Sequence, residues 1–193
     1  MVLPVTATAE EKLTVLFLGD SLTAGYGIEQ EKAFPALIKS IALKEGKDIE
    51  VVNAGMSGDT SAGALRRLPW YLKNRVDICM VALGANDGLR GLPVPAMKEN
   101  LLEIIDKLKA ANPDMKIILA GIKIPMNFGE PYRLAFEAVF SEVSKEKNTI
   151  FIPFLLEGVA GDPNLNLPDR LHPSEAGHAV MAKAVWPVVK DLL

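Results

Sequence analysis

The chain has 193 residues, of which 49% are hydrophobic and 23% charged, a balance that fits one globular domain with a sizeable core. Its formal net charge of −3 gives no reason to expect a nucleic acid or an anionic membrane as a partner. Two histidines and one cysteine argue against a zinc site built from imidazole or thiolate ligands, and the single Cys79 excludes an internal disulfide.

The first eleven residues match part of the pattern of an export signal. Ala7-Thr8-Ala9 matches the small-x-small pattern of a signal-peptidase site, but a basic start and a longer apolar core are missing. We therefore expect residues 1–11 to be the remnant of a secretory leader or a disordered extension, and residues 12–193 to form a single domain. No apolar run approaches the ~20 residues that span a bilayer, which argues against stable membrane insertion. The predicted location is periplasmic or secreted, with a cytoplasmic location as the alternative.

Short apolar runs predict the strands of the fold. The first run does not alternate between apolar and polar residues, which is typical of a strand buried on both faces. Runs of this kind assign strands to residues 13–18, 49–52, 76–83, 116–121 and 149–152. Cys79 lies in the third run and is expected to be an inert buried thiol.

Helical periodicity predicts a helix in each gap between the strands and another after the last strand. Pro69 is expected to end the helix that contains it, and Pro187 to kink the last helix or to end its first part. Strands that alternate with helices predict a parallel sheet covered on both faces, in a three-layer α/β/α arrangement. Right-handed crossovers then leave few topologies.

Polar or glycine-rich loops follow four of the predicted strands. Because the carboxyl ends of parallel strands open on one edge of a sheet, Ser21, Gly58, Asn86 and the Asp169/His172 pair are expected to converge there. Ser21 is then a candidate nucleophile, His172 its base, and Asp169 the acid that orients the imidazole. The backbone N–H groups of Ser21 and Gly58 and the Asn86 amide are candidate oxyanion donors.

These segments resemble the SGNH hydrolase (GDSL esterase) superfamily. Its blocks are Gly19-Asp-Ser-Leu22, the Gly58 loop, Gly84-Ala-Asn-Asp87 and Asp169-Arg-Leu-His-Pro173. The longer strings 57–61 and 84–91 are most similar to its bacterial periplasmic thioesterase/lysophospholipase/arylesterase branch. The resemblance implies a flavodoxin-like strand order 2-1-3-4-5, a Ser–His–Asp triad and no cofactor. No Gly-x-Ser-x-Gly pattern surrounds any serine, which argues against the ordinary α/β-hydrolase fold.

Several loop residues near the predicted edge have two interpretations. Apolar side chains there either line an acyl site or pack within the loops, and the candidates for substrate binding are Leu89, Met126, Phe128, Leu155 and Leu156.

Charged and titratable residues outside the blocks receive structural roles. His178 is expected to be a helix-surface or packing histidine. The acidic residues of the blocks are expected to anchor their loops by bonds to the backbone; they are Asp20, Asp59 and Asp87. Arginines near the edge could meet an anionic head group, but a solvated surface position is favoured; they are Arg66, Arg67 and Arg90.

The predicted function is the hydrolysis of small-molecule carboxylic esters through an acyl-enzyme, with thioesters and lysophospholipids as further substrates. One alternative is a carbohydrate or lipid deacetylase or acyltransferase that uses the same site. A second is a flavodoxin-like module that binds phosphate or nucleotide, although neither Gly-x-Gly-x-x-Gly nor a P-loop pattern follows a strand.

Overall fold

The computed structural model describes residues 12–125 and 129–193. Five parallel strands form one sheet in the order β2-β1-β3-β4-β5, which confirms the predicted order. Their bounds are β1 (Thr14–Gly19), β2 (Glu50–Gly55), β3 (Ile78–Ala82), β4 (Lys116–Ala120) and β5 (Ile150–Ile152). The leader or extension predicted for residues 1–11 lies outside the described residues.

The helices cover both faces of this sheet, because right-handed crossovers carry the chain to opposite sides as the strand order reverses at β1. On one side α2 packs against α7, and on the other α5 packs against both α3 and α6. The helices are α1 (Ser21–Ala24), α2 (Phe34–Lys44), α3 (Ser61–Tyr71), α4 (Ala85–Leu89), α5 (Val94–Ala111), α6 (Glu130–Lys147) and α7 (Glu175–Lys190), with a short 3-10 helix at Gln30–Lys32.

The central strands carry the core. All residues of β3 and all but the first of β1 are buried, as expected for strands covered on both faces. Cys79 is fully buried, as predicted, and this burial raises the pKa of its thiol.

The second strand is longer than its apolar run. The sequence places residues 53–55 in a loop, but their backbones pair with β1, where Gly19 lies beside Gly55. This pairing is close, because a Cβ on Gly55 would lie 2.2 Å from the backbone N of Ala24. The edge that follows Gly19 and Gly55 is therefore tightly packed.

The prediction that Pro69 ends its helix is wrong, and so is the alternative that Pro187 ends the first part of the last helix. Pro69 lies inside α3 and Pro187 inside α7, and each helix continues beyond it. A proline removes one backbone donor, and the bonds on either side hold the helix. Leu72 N–H donates to the Leu68 carbonyl, and Asp191 N–H donates to that of Pro187. Among the described residues, no helix combines the length and the apolar character needed to cross a membrane.

Candidate active site

The serine of the first block sits at a sharp turn from strand to helix. β1 ends at Gly19, and Ser21 is the first residue of α1, whose N-cap Asp20 accepts a hydrogen bond from Leu22 N–H at 3.0 Å. A Cβ on Gly19 would lie 2.0 Å from Thr23 Oγ1, so only glycine permits this turn. Because Ser21 occupies the first position of a helix, its N–H has no acceptor within the helix.

The histidine of the last block lies against this serine. His172 Nε2 is 3.0 Å from Ser21 Oγ, and His172 Nδ1 is 2.7 Å from Asp169 Oδ2. The other carboxylate oxygen, Asp169 Oδ1, accepts the N–H groups of Leu171 and His172 at 2.9 and 3.0 Å. The structure therefore brings together the three side chains proposed from the sequence, across 151 residues of chain.

The electrostatics of this pair favour an ionised carboxylate. The His172 N–H, together with the imidazole and the Leu171 N–H, lowers the pKa of Asp169 to about 2. The carboxylate is thus charged at any neutral pH and holds a proton on His172 Nδ1, which leaves Nε2 as the acceptor toward Ser21. The ring of Tyr26 lies 4.4 Å from the His172 ring, centroid to centroid, and covers one side of the imidazole.

The loops after β2 and β3 meet beside Ser21. Gly58 has a φ of 81°, a left-handed conformation that favours glycine. Its carbonyl accepts a hydrogen bond from Arg90 Nη2 at 2.7 Å. Asn86, in the first turn of α4, donates from Nδ2 to the Asp59 carbonyl at 2.9 Å, so the amide has a fixed orientation.

A cavity of about 140 Å³ opens beside the serine and the histidine. Its walls are Ser21, Leu22, Ala85, Asn86, Leu89, Ile122, Lys123, Ile124, Pro125, Leu156, Leu171 and His172. A larger cavity of about 660 Å³ lies at the amino ends of β1, β3 and β4, and its lining includes neither histidine nor serine. We assign the site to the smaller cavity because it contains the interacting side chains.

The five predicted acyl-site residues separate into three groups. Leu89 and Leu156 line the cavity. The prediction for Leu155 does not match its position, since it is 2% exposed and belongs to the core. Its N–H donates to the Gly121 carbonyl, which holds the residue against the end of β4. Met126 and Phe128 lie outside the described residues.

Sequence reasoning missed one wall of the cavity. Residues 122–125 follow β4 directly and line it, as does Leu171, next to His172. The position of these residues could have indicated them, because β4 ends at the same edge as β1 and β3. The residues predicted from that loop were instead those at positions 126 and 128.

The predicted bonds from acidic side chains to the backbone are confirmed for Asp20 and Asp87, but the prediction is wrong for Asp59. Asp87 accepts hydrogen bonds from Ser61 N–H at 2.8 Å and Ser61 Oγ at 2.6 Å. Asp59 instead pairs with Arg67, whose Nε is 2.6 Å from Asp59 Oδ2.

The surface position expected for Arg67 is wrong, whereas His178 takes the second of its two predicted roles. The Arg67 side chain is only 15% exposed, because it reaches under the loop to Asp59. His178 is 1% exposed, and its Nδ1 accepts a hydrogen bond from Phe34 N–H at 3.2 Å. It is therefore a packing histidine, one of the two roles that the sequence predicted for it. Within the described ranges, no group of three or more His, Cys, Asp or Glu side chains is placed to hold a metal ion.

Comparison with known proteins identifies the family of the chain. The model of the GDSL-like lipase/acylhydrolase family matches residues 17–180. The chain belongs to this family. It is 39% identical over 181 residues to Esterase TesA of Pseudomonas aeruginosa, with 93% of this chain and 89% of that protein covered. It is 38% identical over 181 residues to Thioesterase 1/protease 1/lysophospholipase L1 of Escherichia coli K12, covering 91% of this chain and 85% of that one.

The solved structures support the same family and fold. A crystal structure of TesA superposes with a TM-score of 0.88 at 39% identity, and the match covers 93% of this chain and 99% of that one. This GDSL-family chain is accordingly a serine ester hydrolase, as predicted. The alternatives, a deacetylase or acyltransferase and a phosphate-binding module, are not favoured.

Proposed function

We propose that Ser21, His172 and Asp169 form the catalytic triad of this ester hydrolase. The observation that carries the proposal is the 3.0 Å approach of His172 Nε2 to Ser21 Oγ, with Asp169 on the opposite ring nitrogen at 2.7 Å. His172 takes the Ser21 proton as Oγ attacks the acyl carbonyl, and then gives it to the leaving group. Water activated by His172 next attacks the acyl-enzyme, releasing the acid and restoring Ser21.

Three groups are proposed to stabilise the oxyanion that forms in each step. They are the N–H of Ser21, the N–H of Gly58 and the side-chain amide of Asn86. An amide nitrogen carries two hydrogens, so Asn86 Nδ2 can donate one to the Asp59 carbonyl and the other to the oxyanion. Donors held in position in this way need no reorganisation as the charge develops.

The substrates are small-molecule esters whose acyl group enters the 140 Å³ cavity. Leu89 and Leu156 line its apolar part, and Met126 and Phe128 remain predicted contacts. Thioesters and lysophospholipids are proposed as further substrates, on the strength of the relative named thioesterase and lysophospholipase. All of the proposed steps use the protein's own groups, so no cofactor is proposed.

The test is hydrolysis of p-nitrophenyl esters from acetate to palmitate by the wild type, Ser21→Ala and a control. Ser141→Ala suits as the control because Ser141 is an exposed residue of α6, remote from the cavity. We expect Ser21→Ala to lose nearly all turnover and labelling by an organophosphonate ester, while Ser141→Ala keeps both. A folded Ser21→Ala enzyme that still turned over would overturn the triad.

Export to the periplasm or out of the cell is proposed from Ala7-Thr8-Ala9. Fractionation of the source cells, with an antibody against the protein, tests this location. Recovery with the cytoplasmic fraction alone would contradict it.

A further inference from the structure

We propose that Arg67 is a positioning residue for this reaction, because it joins the backbone that carries the nucleophile to the loop that carries the oxyanion donors. The proposal rests on the roles given above to Ser21, Gly58 and Asn86. Arg67 itself lies on α3, does not line the cavity and touches none of the reacting groups. Its effect would pass through the residues it holds.

The guanidinium of Arg67 binds three separate parts of the chain. Its Nε donates to Asp59 Oδ2 at 2.6 Å, its Nη2 to the Gly19 carbonyl at 2.9 Å, and its Nη1 to the Tyr71 hydroxyl at 3.2 Å. The planar guanidinium presents these donors in a rigid fork, so the three acceptors are held in fixed relation to one another. A lysine, with a single ammonium group, cannot reproduce that geometry.

The Gly19 carbonyl is the contact on the nucleophile side. It is two residues before Ser21 and also accepts Met56 N–H at 3.1 Å. Arg67 therefore reinforces the point at which the end of β1 meets the start of the Gly58 loop. A shift of this carbonyl would be passed directly to the turn that presents the serine.

Asp59 is the contact on the oxyanion side. It follows Gly58 directly, and its own carbonyl accepts the Asn86 amide at 2.9 Å. One residue thus connects Arg67 to two of the three proposed oxyanion donors. If the carboxylate of Asp59 moves, both the Gly58 N–H and the Asn86 amide lose their support.

The packing leaves a space for this carboxylate. A Cβ on Gly63 would lie 1.8 Å from Asp59 Oδ1 and 2.9 Å from its Cγ, so only glycine at position 63 allows the carboxylate to rest against α3. The Asp59 side chain is 9% exposed and that of Arg67 15%, so the pair is largely removed from water. A buried pair is weak evidence for added stability, which leaves a positioning role to be tested separately.

The first experiment compares kcat and KM for p-nitrophenyl acetate in Arg67→Met, Arg67→Lys and a matched control. The control is Arg66→Met, because Arg66 is the neighbouring arginine of α3 and is exposed. A displacement of about 1 Å at a site can lower a rate by about 100-fold. We expect Arg67→Met to lower kcat by about 10- to 100-fold with KM changed by less than about threefold, Arg67→Lys to recover part of the loss, and Arg66→Met to behave as wild type.

A double-mutant cycle with Asn86→Ala shows whether Arg67 acts through the donors. Residues that work through one another give losses that do not add. In the Asn86→Ala background, the Arg67→Met substitution should lower kcat by clearly less than it does in the wild type. Equal losses in the two backgrounds would overturn the proposal, as would a lowered Tm with kcat unchanged.

Gly63→Ala provides a second route that changes no charge and keeps Arg67. The new methyl group displaces the Asp59 carboxylate, so kcat should fall as in Arg67→Met. If Arg67→Met does not fold, Gly63→Ala takes its place in the double-mutant cycle. A folded Gly63→Ala enzyme with wild-type kcat would contradict the proposal. Ser21→Ala distinguishes a failure of the positioning role from a failure of the triad. If Ser21→Ala is inactive while the Arg67 and Gly63 variants have wild-type kcat, only the positioning role of Arg67 fails. If Ser21→Ala is active, the triad itself fails.

Discussion

His178 makes a contribution to stability that we expect to be lost below neutral pH. The imidazole lies between α7 and the start of α2, is 1% exposed, and accepts the Phe34 N–H on Nδ1. Protonation of Nδ1 would break this bond and place a cation at the positive end of a helix. Burial, together with the charge of His172, lowers the pKa of His178 from 6.5 to about 4.

The magnitude follows from the difference in pKa between the folded and unfolded chains. At about 1.36 kcal/mol per pKa unit, a change from 6.5 to about 4 corresponds to about 3 kcal/mol. Because the folded pKa is the lower one, the unfolded chain binds the proton first. The stabilising contribution is complete above pH 6.5 and is lost as the pH falls to about 4; between pH 7 and pH 5 the loss is about 2 kcal/mol.

The assay is urea unfolding from pH 4.5 to 7.5 for the wild type and His178→Asn. Asparagine at 178 keeps an acceptor for Phe34 N–H but does not titrate. Any pH-independent loss of stability caused by the substitution cancels when the slopes of unfolding free energy against pH are compared. The stability difference between the wild type and His178→Asn should shrink by about 2 kcal/mol from pH 7 to pH 5. A pH-independent difference for His178→Asn would refute the reasoning.

Three further changes have expected outcomes. Asn86→Ala should lower kcat by about 10²–10³ with little change in KM, and steady-state kinetics with an unchanged kcat would withdraw its role as a donor. Asp169→Asn should lower kcat at pH 7 by about 10³–10⁴, because the carboxylate no longer holds the His172 proton on Nδ1 and Nε2 is no longer kept free to act as the base. Since the Asp169 side chain is 39% exposed, the Tm of Asp169→Asn should be close to that of the wild type. A large fall in Tm with kcat unchanged would contradict the catalytic role of Asp169. Asp20→Asn keeps the N-cap acceptor but removes a carboxyl whose pKa burial raises to about 7, so wild-type stability relative to the variant should fall as pH rises from 4 to 7. Urea unfolding at both pH values checks this, and equal slopes would refute it.

The convergence of the blocks was predictable in outline from topology. Once the strands are parallel, the residues that follow them share one edge, and Ser21, Asn86 and His172 line the same cavity there. Asp169 was predictable for a local reason, since three residues of chain can place a carboxylate beside an imidazole. The structure shows both arrangements.

Other features depend on neighbours that a sequence does not reveal. The extension of β2 through Gly55 is set by pairing with β1, and an apolar pattern carries no trace of it because residues 53–55 are polar or small. Arg67 appears as an ordinary surface arginine until Asp59, eight residues earlier, is seen to turn back onto α3. His178 was ambiguous for the same reason, since its partner Phe34 is 144 residues away.

Asp20 and His178 also show why the wild-type pH profile alone decides little. The folded protein holds an extra proton on Asp20 between about pH 4 and 7, while the unfolded chain holds the extra proton at His178 between about pH 4 and 6.5. Their contributions to the slope of stability against pH therefore have opposite signs in the same window and largely cancel. A wild-type unfolding free energy that does not change with pH is therefore consistent with large pKa shifts at both Asp20 and His178. Only the single variants separate them: His178→Asn should lose stability relative to the wild type as pH rises, whereas Asp20→Asn should gain it.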